Sequence, residues 1–356
     1  MASAYVLNLL LAAALLFCAG WTGAAARPAQ DGALYLPLLQ RNLPPHPQAA
    51  LLHSIGAAGA ARTGEDCDWE AGVLAWGWVK MWEATGDEQY WQWTRTWVDG
   101  CIARATKIEH VNGVPLAYAA LALYSRDPQP QYRALAEEAR TYLFDAAPRT
   151  RDGTLIHLAD MVWDDTLVSV IPFLVKMWRV TGDSRCLAEA AAQLQKHALH
   201  LQDPLTGLFR HAWSEPQDAF SGPFFWGRGN GWVVLAQAEL LAALPKDDAR
   251  RPLLLAQYVQ LAEALIERQA PDGRWHTIVT RRDFYLETSA TALVAAALAL
   301  GVERRLFDEP LLDQARQAAA RGRAAVWQQV GTEGVVGGVS GPTGPMDQES
   351  AYDDIA

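Results

Sequence analysis

The stretch Gly231–Leu244, GWVVLAQAELLAAL, carries one charge, Glu239, over fourteen residues of helical length. A helix with so little polarity on any side is buried all round. Thr288–Gly301, TSATALVAAALALG, repeats the pattern with no charge at all. A second kind of segment lies between such runs. In Gln131–Leu143, QYRALAEEARTYL, the residues Tyr132, Leu135, Ala136, Ala139, Tyr142 and Leu143 follow the i, i+3, i+4, i+7 rule of a one-sided helix. The two kinds alternate. Buried candidates begin near Gly72, Leu116, Thr166, Gly231 and Thr288, at intervals too uneven for a solenoid of fixed period. Strand-like alternation is scarce. Alternating buried and amphipathic helices suit a closed ring, with inner helices wrapped by outer ones.

The connections repeat as well. Thr85-Gly86-Asp87 and Thr181-Gly182-Asp183 each follow a buried helix and precede an amphipathic one. Gly ends the first helix and Asp caps the second. The connections from outer helix to next inner helix are longer: DGTLIH (152–157), TGLFRH (206–211) and DGRWH (272–276). Each ends in a histidine, and polar residues (Asp165, Asn230, Glu287) stand at the heads of the buried helices that follow. In a ring these loops share one end, so His157, His211, Asp165, Arg228 and several tryptophans converge on one mouth.

Composition narrows the function. The 356 residues suffice for one large domain or two ordinary ones, 51% of them are hydrophobic, and the net charge is −10. An acidic chain argues against nucleic acid, whose phosphates want a basic face. Fifteen tryptophans are many for this length and make sugar-ring stacking a class to test. No HExxH, P-loop, GxSxG or paired-cysteine metal motif occurs, so no metal or cofactor is expected. Burial raises a carboxyl pKa and suits it to general-acid work, which makes Asp164 and Asp165 of VWDDTL candidates; either one can instead be the N-cap of the next helix. His157 and His211, each taken alone, read as structural loop histidines, and His197 and His200 as solvated residues of an amphipathic helix.

Phe224–Trp232, FFWGRGNGW, has the most specific context. Gly227 and Gly229 allow close approach to the backbone. The Arg228 guanidinium can grip a carboxylate with two parallel bonds. Asn230 and Gly231 open a helix whose free N–H groups favour an anion, and Trp226 and Trp232 can stack on a ring. The segment suits a flat, carboxylated ring; the competing reading pairs Arg228 with a neighbouring acid to close the barrel.

With DWEAGVLAWGWVKMWEATGDEQY, MVWDDTLVSVIPFLVKM, TGLFRHAWSE, FFWGRGNGW and YLETSAT in order, the chain from about Asp66 to Asp353 resembles the unsaturated glucuronyl and rhamnogalacturonyl hydrolases of glycoside hydrolase families 88 and 105, closest to 105. The resemblance implies an all-α (α/α)6 barrel. It also implies hydration of the C4=C5 double bond in the terminal uronic acid of oligosaccharides left by polysaccharide lyases. Asp165, in the frame Trp163-x-Asp165-x-Leu167, falls on the catalytic acid, and His211 on a histidine near the reacting atoms. Arg228, Trp226 and Trp232 match the uronate subsite, His157 and Trp69 match more loosely, and Glu109 stands where the family has a substrate-binding Asp. A small anionic oligosaccharide is the expected partner. A catalytically silent carbohydrate-binding barrel is the alternative, and a sugar epimerase a third reading. The epimerase would want paired His or Glu bases across the ring.

Residues 1–26 read as a secretory signal, with an apolar run from Val6 to Trp21 and small residues at Ala24–Ala26, although no Lys or Arg precedes the run. An uncleaved anchor is the alternative. A secreted or periplasmic barrel domain over 27–356, with no further membrane span, is therefore expected. Cys67 precedes the first matched inner helix and Cys101 ends the outer helix after it, which makes them a candidate disulfide in an oxidising compartment. Only five inner helices match, and the Gly- and Pro-bearing GPTGPMDQESAYDD is nearly the last of the chain. The expectation is a C-terminally truncated barrel with an open, apolar seam between the first and fifth helix pairs, unless Gly32–Asn42 fills it.

Overall fold

A computed structural model describes residues 49–63 and 66–353, of which eleven stretches are α-helices. The expectations placed on residues 1–26 and on Gly32–Asn42 lie outside the described residues. Five helices are inner: α2 (Trp69–Thr85), α4 (Val114–Arg126), α6 (Asp165–Thr181), α8 (Gly227–Ala243) and α10 (Thr288–Glu303). Each packs on the next in order and on its own outer helix: α3 (Glu88–Ala103), α5 (Pro130–Thr141), α7 (Ser184–Leu201), α9 (Arg251–Glu267) and α11 (Leu311–Gln328). This is an α/α barrel. Every residue from Gly227 to Leu241 and from Thr288 to Leu298 is buried, as the all-round apolar stretches require. The single charge of the opening stretch, Glu239, is met across the barrel by Lys80 of α2 at 2.7 Å.

The TGD turns are built as their residues dictate. Gly86 and Gly182 take the left-handed conformation, φ 70° and 74°, and close α2 and α6. Asp87 and Asp183 then cap α3 and α7, accepting the N–H of Gln89 (2.9 Å) and Arg185 (3.1 Å).

The seam departs from expectation. Helix α1 (Ala49–Thr63), which the sequence reading did not name, packs against the first hairpin and against the chain that follows the fifth. It buries Leu52 and Ile55. Gly56 sits so tightly against α3 that an added Cβ would come within 2.5 Å of the Trp93 ring, and Gly334, after α11, abuts the Ser54–Ile55 backbone. Among the described residues the exposed large hydrophobics are Leu158, Leu199, Leu205, Phe220 and Leu253; none belongs to α2 or α10, so the expected exposed apolar faces are not found.

Cys67 and Cys101 form a disulfide, with Cα atoms 5.8 Å apart, and Cys186 is free and buried. Two small sheets interrupt the all-α plan. Strands β1 (Met161–Trp163), β2 (Ala212–Ser214) and β3 (Ala219–Ser221) form one antiparallel sheet, and β4 (Trp275–His276) pairs with β5 (Leu286–Glu287). Both lie in outer-to-inner connections. They are too short for their alternation to show in the sequence, and the first sets the geometry of the mouth.

Candidate active site

Register in the first sheet places the acid beside the histidine. Trp163 pairs with Ala212. One residue further on, the Asp164 N–H donates to the His211 carbonyl at 3.0 Å. Helix α6 starts at Asp165, so both carboxyls leave the sheet at a helix head that His211 overlooks. His211 Nε2 lies 3.3 Å from Asp165 Oδ2, close enough for an ion pair although not aligned as a hydrogen bond. An oxygen of each carboxyl and a ring nitrogen of His211 all lie within 4.8 Å of one another.

Aromatic rings hold the group in place. His157 is stacked on Trp163 (centroids 4.5 Å, 11° between planes), and its Nδ1 lies 3.1 Å from Thr166 Oγ1. Trp163 meets His211 edge-on, and His211 stacks on Trp226 at 4.4 Å. On its other side His211 Nδ1 is 2.6 Å from the Tyr352 hydroxyl, which accepts the Met346 N–H at 3.1 Å. With the Tyr352 hydroxyl donating to Nδ1, the nitrogen left to carry the ring proton is Nε2, which faces Asp165.

The two carboxyls differ sharply. Asp164 is fully buried; burial first, then the charge of Asp165, push its pKa well above the usual carboxyl range. The Asp165 side chain keeps 23% exposure. Burial raises its pKa too, but His211, His157 and the bond to Asp164 outweigh that and hold it below the usual value. The expectation that burial raises the pKa of the acid therefore applies to Asp164 and is reversed at Asp165. Asp164 occupies the N-cap position of α6, yet its side chain makes no capping bond.

FFWGRGNGW has a different occupant from the one expected. Arg228 is buried, and its guanidinium is spent on the chain's own loop. Nη1 donates to Ser340 O (2.9 Å) and Oγ (2.7 Å), and Nη2 to Gly341 O (2.6 Å) and Thr343 Oγ1 (2.9 Å). Glu287 is the acid that completes this clamp. It caps α10 and accepts the Ser340 N–H at 3.0 Å. Trp226 and Trp232 are buried and offer a sugar no free face; Trp226 is sandwiched between His211 and Arg228, whose Cζ lies 4.6 Å from its ring centre. Asn230 bonds the Phe209 backbone in both directions. Added Cβ atoms on the three glycines would meet His276 O (2.5 Å from Gly227), Asp164 Oδ2 (2.1 Å from Gly229) and Leu293 Cβ (2.8 Å from Gly231). Close approach is needed, as the sequence suggested, but by neighbouring chain rather than ligand.

The remaining candidates scatter. Glu109 is exposed and faces a cleft of about 570 Å³ against α5, lined also by Glu137 and Glu138. The residue that reaches the site from that loop is His110, whose Nε2 lies 2.5 Å from the His157 carbonyl and whose ring meets His157 edge-on. Trp69 is half-buried at the head of α2 and packs against the core. His197, expected to be solvated, is fully buried, with Nδ1 2.8 Å from Gln193 O. Sequence reasoning missed His110 and Tyr352. HVNG and SAY carry no motif; only the segment's place at the mouth could have pointed to them.

Residues 55–355 match the model of Glycosyl Hydrolase Family 88. The chain belongs to glycosyl hydrolase family 88. This family 88 chain is 33% identical over 243 residues to the unsaturated rhamnogalacturonyl hydrolase YesR of Bacillus subtilis (strain 168), covering 65% of the chain and 70% of that protein. A solved structure of a possible GH105 member from Salmonella enterica superposes with a TM-score of 0.77 at 26% identity, over 82% of this chain and 78% of that one. The unsaturated glucuronyl hydrolase of Bacillus sp. GL1 superposes with a TM-score of 0.66 at 19% identity, over 83% and 88%. At that identity the likeness is one of fold. The family 88 chain thus has the (α/α)6 barrel architecture, with its carboxyls and histidines at the mouth end.

Proposed function

We propose that this chain hydrates the C4=C5 double bond of unsaturated uronyl oligosaccharides, with Asp165 as the general acid and His211 as its companion. The observation that carries the reading is the Asp165–His211 pair, at 3.3 Å, at the head of an inner helix. Of the two adjacent carboxyls only Asp165 has an exposed edge, so only it can touch a substrate. Asp165 gives its proton to C4, and the π electrons of the double bond form the new C–H bond. Water adds at C5 and loses its proton to the Asp165 carboxylate. The hemiketal formed opens and expels the neighbouring sugar. His211 Nε2–H steadies Asp165 whenever it is ionised. Trp163 is half-buried, and its ring is fixed by His157 on one side. It lines the same space.

Arg228 enters this reading as a fixed cation behind Trp226 and as the clamp of the 340–343 loop. The likeness to YesR supports the substrate class. The Cys67–Cys101 disulfide and the apolar run Val6–Trp21 support action outside the cytoplasm. No described helix is long and apolar enough to cross a membrane.

The test is a panel of unsaturated uronyl disaccharides, followed by loss of the ultraviolet absorbance of the conjugated C=C–COO⁻. Wild-type protein should bleach at least one. Asp165→Asn should slow that reaction by about 10²–10⁴ while melting like wild type. Bleaching of none, or an Asp165→Asn variant that keeps its activity, defeats the proposal.

A further inference from the structure

We propose that Asp164 is a positioning residue that holds the pair's proton and shares it with Asp165, so that the acid is loaded when the substrate arrives. The inference rests on the proposed hydration by Asp165. It starts from a buried group with no structural task. Asp164 is fully buried, and neither carboxyl oxygen has a hydrogen-bond partner among the residues packed around it, Asp165 apart. It makes no capping bond, although it stands at an N-cap. Gly229 of α8 leaves it a berth that any side chain would fill, since an added Cβ would lie 2.1 Å from Oδ2.

A carboxylate left so buried would be costly, and a carboxylic acid much less so. Its neighbours decide where the pair's single proton goes. Asp165 faces the Nε2–H of His211, with His157 nearby, and these stabilise its ionised form. Asp164 faces Asp165, with Arg228 and Tyr352 further off, and burial keeps it neutral. In the empty site the proton is on Asp164, which cannot touch substrate. The proposed chemistry needs it on Asp165.

The uronate carboxylate supplies the change. A negative charge entering the mouth disfavours ionised Asp165, and the Asp164 O–H proton passes to Asp165. As Asp165 protonates C4, it becomes the carboxylate that water then reprotonates. No proton is gained or lost over the cycle. The pair titrates as a unit with two macroscopic steps, and activity belongs to the singly protonated form.

Asp164→Asn keeps the shape and an N–H donor but no transferable proton. It should move the alkaline limb of the kcat/KM–pH profile toward acid by about one pH unit or more, because Asp165 alone then holds the proton, and the acid limb that comes from double protonation of the pair should disappear. Uniform loss at all pH values, or an unchanged profile, would assign Asp164 a merely structural part and overturn the proposal. If wild type bleaches no unsaturated disaccharide, the functional reading has failed on its own, and the proton is read directly. Wild-type protein labelled with carbon-13 at the aspartate carboxyls should show one aspartic acid that stays protonated well above the usual carboxyl range, its signal displaced in Asp165→Asn. This measurement also serves if Asp164→Asn does not fold. Ionisation of every aspartate within the usual carboxyl range overturns the proposal.

Discussion

Gly229→Ala tests how closely the site is built. The glycine lies in α8 with ordinary helical backbone, so alanine suits the conformation there and by propensity alone would add up to about 1 kcal/mol of stability. Its methyl group, however, would stand 2.1 Å from Asp164 Oδ2, where ordinary contact begins at 3.4 Å, so the two must part by about 1.3 Å. Overpacking of this kind costs about 1–3 kcal/mol, which the helix propensity partly offsets. The net loss of stability should be about 2 kcal/mol or less. Catalysis should suffer more. Displacing a reacting constellation by about 1 Å costs on the order of 10²-fold, and Asp164 moves only by dragging Asp165, its neighbour in the chain. Turnover of an unsaturated disaccharide, set beside a thermal melt, separates the two effects. Gly231→Ala is the control. Its methyl group would stand 2.8 Å from Leu293 Cβ, crowding the core away from the carboxyls, so it should lower the melting temperature with little change in the pH profile. A Gly229→Ala protein with wild-type kcat/KM would show that Asp164 is not locked against α8, and the account of the site would fail.

Arg228→Lys keeps the charge but cannot span four acceptors, so it should lose about 2 kcal/mol and free the 340–343 amides for hydrogen exchange. An unchanged melt with a raised KM for unsaturated uronates alone would instead make Arg228 a substrate ligand. Stability should also fall as the pH drops below about 6.5. Burial lowers the pKa of His157 to about 4 and of His197 to about 3, so both stay neutral when folded and bind protons only when unfolded; their stabilisation is complete above about 6.5 and lost as pH falls. Asp164 has the opposite sign. Its raised pKa means it binds a proton only when folded, and its contribution is lost as pH rises from the usual carboxyl value. From about 6.5 down toward 4 the two histidines favour the unfolded chain, each by up to about 1.4 kcal/mol per pH unit, and Asp164 opposes them. Urea unfolding between pH 5 and 8 measures it, and a flat profile would contradict these burials.

The inner helices were legible because apolarity on every side has one physical cause, burial on every side. Starts read near Gly72, Leu116, Thr166, Gly231 and Thr288 fall within four residues of the observed ones. The TGD turns were legible because a left-handed Gly and a capping Asp are local chemistry. Asp165 and His211 were legible as candidates, but their contact was not. It depends on a three-residue strand register that no periodicity reveals. The stretch 49–63, AALLHSIGAAGAART, was missed because its small residues and two glycines weaken the helical signal, and those same residues let it press against Trp93. Arg228 and Glu109 were misplaced for a shared reason. An arginine between glycines and an acid in a mouth loop state what a side chain can bind, while the partner actually bound lies elsewhere in the sequence: 112 residues away in the case of Ser340.

Arg228 matters to the site through what it holds. From Arg228 the rings run in a column: Trp226 at 4.6 Å, His211 at 4.4 Å from Trp226, Trp163 at 5.8 Å from His211, and His157 at 4.5 Å from Trp163. The column crosses from the head of α8, through the two loops that meet in the first sheet, to the loop before β1. Its far end is pinned by His110 and its near end by the 340–343 loop, which returns through Tyr352 to His211 Nδ1. No member can turn without displacing a packed neighbour, so His211 presents Nε2 to Asp165 in one orientation, with no reorganisation left to make at the moment of proton transfer. A guanidinium free to clasp a substrate carboxylate would leave Trp226, and with it His211, unsupported on one face. The opening between the two glycines is better explained by that demand. Gly227 and Gly229 let the helix head come close enough to His276 and Asp164 for one arginine to stand behind the whole column.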